Sequence, residues 1–209
     1  MHDPPSDQSL RTLIDAIVAD DTALFSKLLA DSPALATATF TQGATRQPPT
    51  QTFIEQIGYQ IYAGDTALHI AAAAYRQNMA GQLIKAGANI SARNRRGTQP
   101  IHAAAVGNPS SPTWNPAAQS AIITLLIAAG ANPHAQNIDG ATPLHRAVRT
   151  RCAAAVRTLL AHGADPAIRN KNGSTPAQLA SQTTGRPGSG SPEAKAQQQE
   201  ILLALAASR

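Results

Sequence analysis

Four stretches of the chain open in the same way: GDTALHIAAAA at Gly64, GTQPIHAAAVG at Gly97, GATPLHRAVRT at Gly140 and GSTPAQLASQT at Gly173. The leading glycines are spaced by 33, 43 and 33 residues. A second marker follows each of the first three: Gly87-Ala88-Asn89, Gly130-Ala131-Asn132 and Gly163-Ala164-Asp165. A chain with such a period builds one small unit several times, and each unit buries its apolar face only against its neighbours. The second unit carries ten extra residues between its markers.

Local chemistry predicts what one unit is. In GATPLHRAV the glycine suits a tight turn, Thr142 caps the first free N–H groups and Pro143 falls at the first helical position, where its missing donor costs nothing. Leu144, Ala147 and Val148 then give one buried stripe. A second helix follows through Val156, Leu159 and Leu160, ended by Gly163 at a left-handed position. Apolar residues are 43 % of the chain but aromatics only 3 %, so the layers are thin and the helices close together.

The T-P-L-H-x-A core, the 33-residue period and the Gly-Ala at the expected distance resemble the ankyrin repeat over residues 61–180. The resemblance implies an all-α solenoid of stacked helix-turn-helix units with finger turns, about five units in one domain over 1–209. Its divisions are a degenerate N-cap repeat (9–36), an extended finger loop (37–62), repeats at 63–93, 94–136 and 137–169, and a capping repeat (170–209). In that family the imidazole at the positions of His69, His102 and His145 bonds to backbone of the adjoining finger, a structural role. Gln99 replaces the capping Thr in the second repeat, which weakens its cap, and Ala177 and Gln178 replace Leu and His in the last. Ser191 and Pro192 are expected to open a final helix that packs Ile201, Leu202 and Leu205 backward, while Leu13, Ile14 and Ile17 face Leu24, Phe25, Leu28 and Leu29 at the other end.

Two insertions exceed what a scaffold needs. The 37–62 loop holds Phe40, Phe53, Tyr59 and Tyr62; TFIEQIG within it either forms one helical turn burying Phe53, Ile54 and Ile57, or offers a contact surface. The 107–119 insertion in the second repeat holds Trp114, which either anchors a partner or folds back over its own helix ends.

Charge is unevenly spread. Residues 1–65 sum to −5 and residues 66–185 to +9, within a net +5. Family geometry carries Tyr62, Asp65, Ala73, Ala74 and Tyr75, then Arg93, Arg95, Arg96 and Thr98, then Ile138, Asp139, Arg149, Thr150 and Arg151, and finally Arg169, Lys171, Asn172 and Gln182 onto the concave groove. The expected function is a non-enzymatic adaptor, of bacterial type, that binds an acidic segment of another protein through this basic groove, flanked by the 37–62 and Trp114 loops. Arg95, Arg96, Arg149 and Arg169 supply charge; Tyr62, Tyr75 and Trp114 are anchors. Nucleic-acid binding is the alternative, motivated by a pI near 9.9, and an enzyme is a third reading. No catalytic residue, metal or cofactor is expected: Cys152, the one cysteine, has no Cys-His-Asn pattern around it, and no phosphate loop or ligand cluster can be read. A monomer without a membrane segment is expected, in the cytoplasm because MHDPPSDQSL lacks the regions of a signal peptide, with a secreted effector left open.

Overall fold

Except at Gln77 and Ala153, which follow Arg76 and Cys152 without a side-chain cap, the described helix starts have a short polar side chain or a proline before an apolar stripe. The computed structural model describes residues 6–43, 52–109, 111, 113–182 and 192–208. The expected Ser191 cap, residues 44–51 of the long finger and the 184–191 stretch lie outside the described residues. Ser6 caps α1 (Asp7–Ala19) and Asp21 caps α2 (Thr22–Asp31), with Asp20 between them in the left-handed region at φ 60°. Leu13, Ile14, Ile17 and Phe25 are sealed in this pair. Arg76, from the next unit, donates to Ile17 O and Val18 O and pairs with Asp20 at 3.1 Å, a cation at the C-terminus of α1.

Four more pairs follow: α3 (Ala67–Ala73) with α4 (Gln77–Lys85), α5 (Pro100–Ala104) with α6 (Pro116–Ala128), α7 (Pro143–Arg149) with α8 (Ala153–Ala161), and α9 (Pro176–Gln182) with α10 (Pro192–Ala207). First helices α1, α3, α5, α7 and α9 stack in one row; α4, α6, α8 and α10 stack in the other. Between the rows lies a single core in which alanines alternate with Leu68, Ile70, Ile101, Ile122, Leu126, Leu144 and Leu159. Alanine at the crossings lets helix axes come to the short end of the usual 8–10 Å. Among the described residues the only sheet is a two-residue antiparallel hairpin, β1 (Phe53–Ile54) with β2 (Tyr59–Gln60). The architecture is the expected all-α solenoid.

The units are locked by their fingers. Each finger donates a backbone bond to the one before: Arg95 N to Ala63 O (2.7 Å), Ile138 N to Arg96 O (3.1 Å) and Lys171 N to Asp139 O (2.9 Å). Asn94, Asn137 and Asn170 shape the turns, each Oδ1 accepting from two backbone N–H groups. The three histidines do structural work. His69, His102 and His145 accept at Nδ1 from Thr66, Gln99 and Thr142 N–H, so the proton sits on Nε2, which donates to Thr98 O, Ala141 O and Ser174 O of the next finger at 3.0–3.1 Å. In the last unit Gln178 Oε1 takes the Nδ1 role, accepting from Thr175 N at 2.9 Å.

Three expectations are corrected. TFIEQIG is a hairpin around one 3-10 turn (Glu55–Ile57); Ile54 and Ile57 do pack on the core, but Phe53 is 48 % exposed, because alternation along a strand sends it to the opposite face from Ile54. Leu24 sits at the capped first turn of α2 and Leu202 on the outer face of α10, and both are exposed rather than facing the core.

Candidate functional site: the concave face and its two loops

Equivalent positions of successive units form ladders along the stack. Tyr62, Arg95, Ile138 and Lys171 stand at one offset before the leading glycines, and Ala73, Val106 and Arg149 at one offset after Gly64, Gly97 and Gly140. The first ladder lies on the finger tips and the second at the far ends of the first helices.

Several of the sequence-predicted residues brace the fingers. Arg93 donates to Gln136 O (2.9 Å) and Gly97 O, and Arg169 donates to Gly173 O (2.5 Å). Arg96 is paired with Asp139 at 3.1 Å, and Arg95 lies over the half-buried Tyr62 ring at 6.0 Å. Ile138 is 47 % exposed on the same edge. Arg149 and Lys171 are exposed, and among the described residues their side chains carry no ion pair. Arg151 and Tyr75 share one offset and the left-handed region (φ 59° and 58°), which presents both side chains at the sharp turn between the helices of their units.

The two insertions meet over the ends of α3 and α5. The hairpin is held down by Tyr59 Oη, which donates to Asp65 Oδ1 at 3.2 Å, and its two strands are closed at the base by Ile61 N–H, which donates to Thr52 O at 2.8 Å. From the other side, Trp114 is half-buried and its Nε1 donates to Gln119 Oε1 (3.1 Å), while Gln119 Nε2 donates to Ala104 O (3.0 Å). Tyr75 Oη donates to Val106 O at 2.5 Å. Tyr75 and Trp114 converge on Gly107, where a methyl group would stand 2.7 Å from the phenol oxygen and 2.8 Å from the indole nitrogen. Between hairpin and Trp114 loop remains a cavity of about 470 Å³, whose lining is part apolar, from Ile57, Ala73, Ala103, Val106 and the Tyr59, Tyr75 and Trp114 rings, and part polar, from Glu55, Arg76, Asn108 and Ser111 among others.

Burial sets the protonation of this region. It pushes the Tyr59 phenol well up, aided by the Asp65 carboxylate, and it raises Asp65 itself against the pull of His69. Cys152, buried behind Gly107, has its thiol pushed up by burial and is an inert packing group rather than a thiolate.

One residue was missed by sequence reasoning. Arg146 is half-buried on α7, and among the described residues its guanidinium has neither ion pair nor hydrogen bond. Burial lowers its proton affinity; Tyr59 and Tyr62 offset this, and Arg149 and Arg96 add to it, so side chains from three units bear on this one guanidinium. Its signal was available: Arg146 is the only charged residue at an offset otherwise occupied by Ile70, Ala103 and Leu179. Among the described residues there is no group of three His, Cys, Asp or Glu side chains placed to hold a metal ion, and no helix long and apolar enough to cross a membrane.

Paired helices, stacked in two rows and tied finger to finger by histidine, define a repeat solenoid. Comparison with known proteins agrees: a family model described as ankyrin repeats in many copies matches residues 126–180, and the single ankyrin-repeat model matches residues 63–95. The chain is an ankyrin-repeat protein. Between the matched stretches lie Gln99 and the 107–119 insertion. No curated protein matches the chain.

Proposed function

We propose that this protein is a non-enzymatic adaptor that captures an acidic segment of a partner protein on the basic concave face, between the hairpin and the Trp114 loop. Ankyrin repeats are generally protein–protein interaction modules, so binding another protein is the family's ordinary task. The observation that carries the finer reading is Arg146 and Arg149, adjacent cations on one face without an anionic partner among the described residues. A half-buried, unpaired guanidinium is costly, and a partner's carboxylate relieves that cost with a charge-assisted hydrogen bond. Of the sequence-predicted residues, Arg149 and Lys171 are available for this, Arg95, Arg151 and Arg96 supply field, and Arg93 and Arg169 hold the surface in place.

The test is binding of fluorescein-labelled Glu/Asp-rich peptides by fluorescence polarisation, with Lys-rich peptides and short DNA duplexes as comparators. Acidic peptides should bind, with affinity falling as salt rises, and R96E/R149E should weaken them by at least roughly tenfold. Indifference to peptide charge, or tighter binding of the duplexes, overturns the reading.

A further inference from the structure

The groove is not uniform along its length. At the offsets where the third unit carries Arg146 and Arg149, the second carries Ala103 and Val106, and the first carries Ala73 at the latter offset. Small side chains in the earlier units leave the recess that the two insertions roof over; arginines in the next unit raise a charged rim beside it. Tyr59 belongs to both, lining the cavity and lying close enough to Arg146 to act on its charge.

Ile57, Ala73, Ala103, Val106 and the Tyr75 and Trp114 rings give the cavity an apolar surface, and Glu55, Gln56, Arg76, Asn108, Ser111 and Thr113 line the rest of it. On the apolar side the two aromatic tips are already engaged, Tyr75 Oη with Val106 O and Trp114 Nε1 with Gln119 Oε1, so an occupant there meets ring faces and methyl groups. Its volume of about 470 Å³ holds a large side chain with room for the backbone that bears it. Of the two charged groups that line it, Arg76 is paired with Asp20 at 3.1 Å, while Glu55 on the hairpin side repels a carboxylate from that end. The acidic group is thereby directed toward the third unit.

Resting on the reading above, we infer that the bound segment is extended and bipartite: one bulky apolar side chain seats between the hairpin and Trp114, and a carboxylate about three residues away reaches Arg149 and Arg146. The spacing follows from geometry. Neighbouring first helices lie about 8–10 Å apart, and an extended chain advances about 3.3 Å per residue.

The experiment uses the full chain and a peptide array in which one Leu or Phe and one Glu are separated by increasing numbers of Gly/Ser residues. Affinity should peak when the pair lies about three positions apart and fall by roughly tenfold when either residue is replaced, by Ala or by Gln respectively. A73L, which fills the recess from a half-buried site, should erase the preference for the apolar residue while keeping the preference for Glu; R149Q should do the reverse. Thermal unfolding of each variant checks that it folds, and the peptide-side replacements give the same answer without touching the protein. If acidic peptides bind with no dependence on spacing, or A73L leaves the apolar preference intact, this inference fails and the acidic-partner reading stands. If no acidic peptide binds, both fall.

Discussion

Gln99 shows what a single position costs. Thr66, Thr142 and Thr175 stand at the same place in the other units, and the hydroxyls of Thr142 and Thr175 accept from the N–H three residues on. Gln99 keeps the backbone bond to His102 Nδ1, but its own Oε1 is buried without a hydrogen-bond partner. An unmet buried carbonyl costs about 1–3 kcal/mol, and a Thr cap contributes about 0.5–2 kcal/mol. The longer side chain also fills space that Thr leaves empty, so Q99T should gain a net of about 1 kcal/mol, or about 2–4 °C in melting temperature for a chain of this size. Urea titration of both proteins measures this directly, and an unchanged or lower midpoint for Q99T contradicts it.

At the scale of elements, the leading glycines serve two different needs, which substitution can separate. Gly140 has φ 72°, and a methyl group there would lie 2.8 Å from Lys171 N, the atom that bonds to Asp139 O of the finger. Gly173 has nearly the same backbone, φ 76°, but among the described residues nothing lies within 4 Å of a methyl group placed there. Both pay about 1 kcal/mol for a left-handed alanine. G140A must also push backbone aside, so it should lose about 1–3 kcal/mol more than G173A in chemical denaturation; equal losses would show that the finger contact carries no stability. This contrast also marks what the sequence made legible. Repeats, caps and the histidine role were readable because their signals are local and recur in register. The hairpin was not, because TFIEQIG pairs across a short 3-10 turn without the Asn-Gly or Asp-Gly that announces one. Nor was the cavity, since nothing in the order of residues says that Ile57 and Tyr59 come to rest opposite Trp114. Arg146 was legible in principle, as the one charge in its ladder, but only after the ladder was drawn.

Across the whole molecule, the histidines form a chain of couplings from the first repeat to the last, and acid attacks every link of it. Burial lowers the proton affinity of all three; His102 falls from its ordinary 6.5 to about 4. Each needs an unprotonated Nδ1 to accept from its own unit while Nε2–H donates to the next finger. The unfolded chain therefore binds more protons than the folded one between these values. Stability from His102 is complete above about pH 6.5 and drains away as pH falls toward about 4, a loss on the order of a few kcal/mol. Asp65, with its carboxyl raised by burial and 3.8 Å from His69, works in the opposite direction and tempers the effect in the first repeat. H102Q should be less stable than the parent at about pH 7, because one amide does not reproduce both bonds, and should lose less on going to about pH 5. Denaturation midpoints for the two proteins at both pH values decide it: parallel losses would mean that the neutral imidazole of His102 is not what acid removes. Because Ile138, Asp139 and Lys171 ride on fingers that His102 and His145 hold, the same protonation that lowers stability should loosen this edge of fingers before the helices come apart.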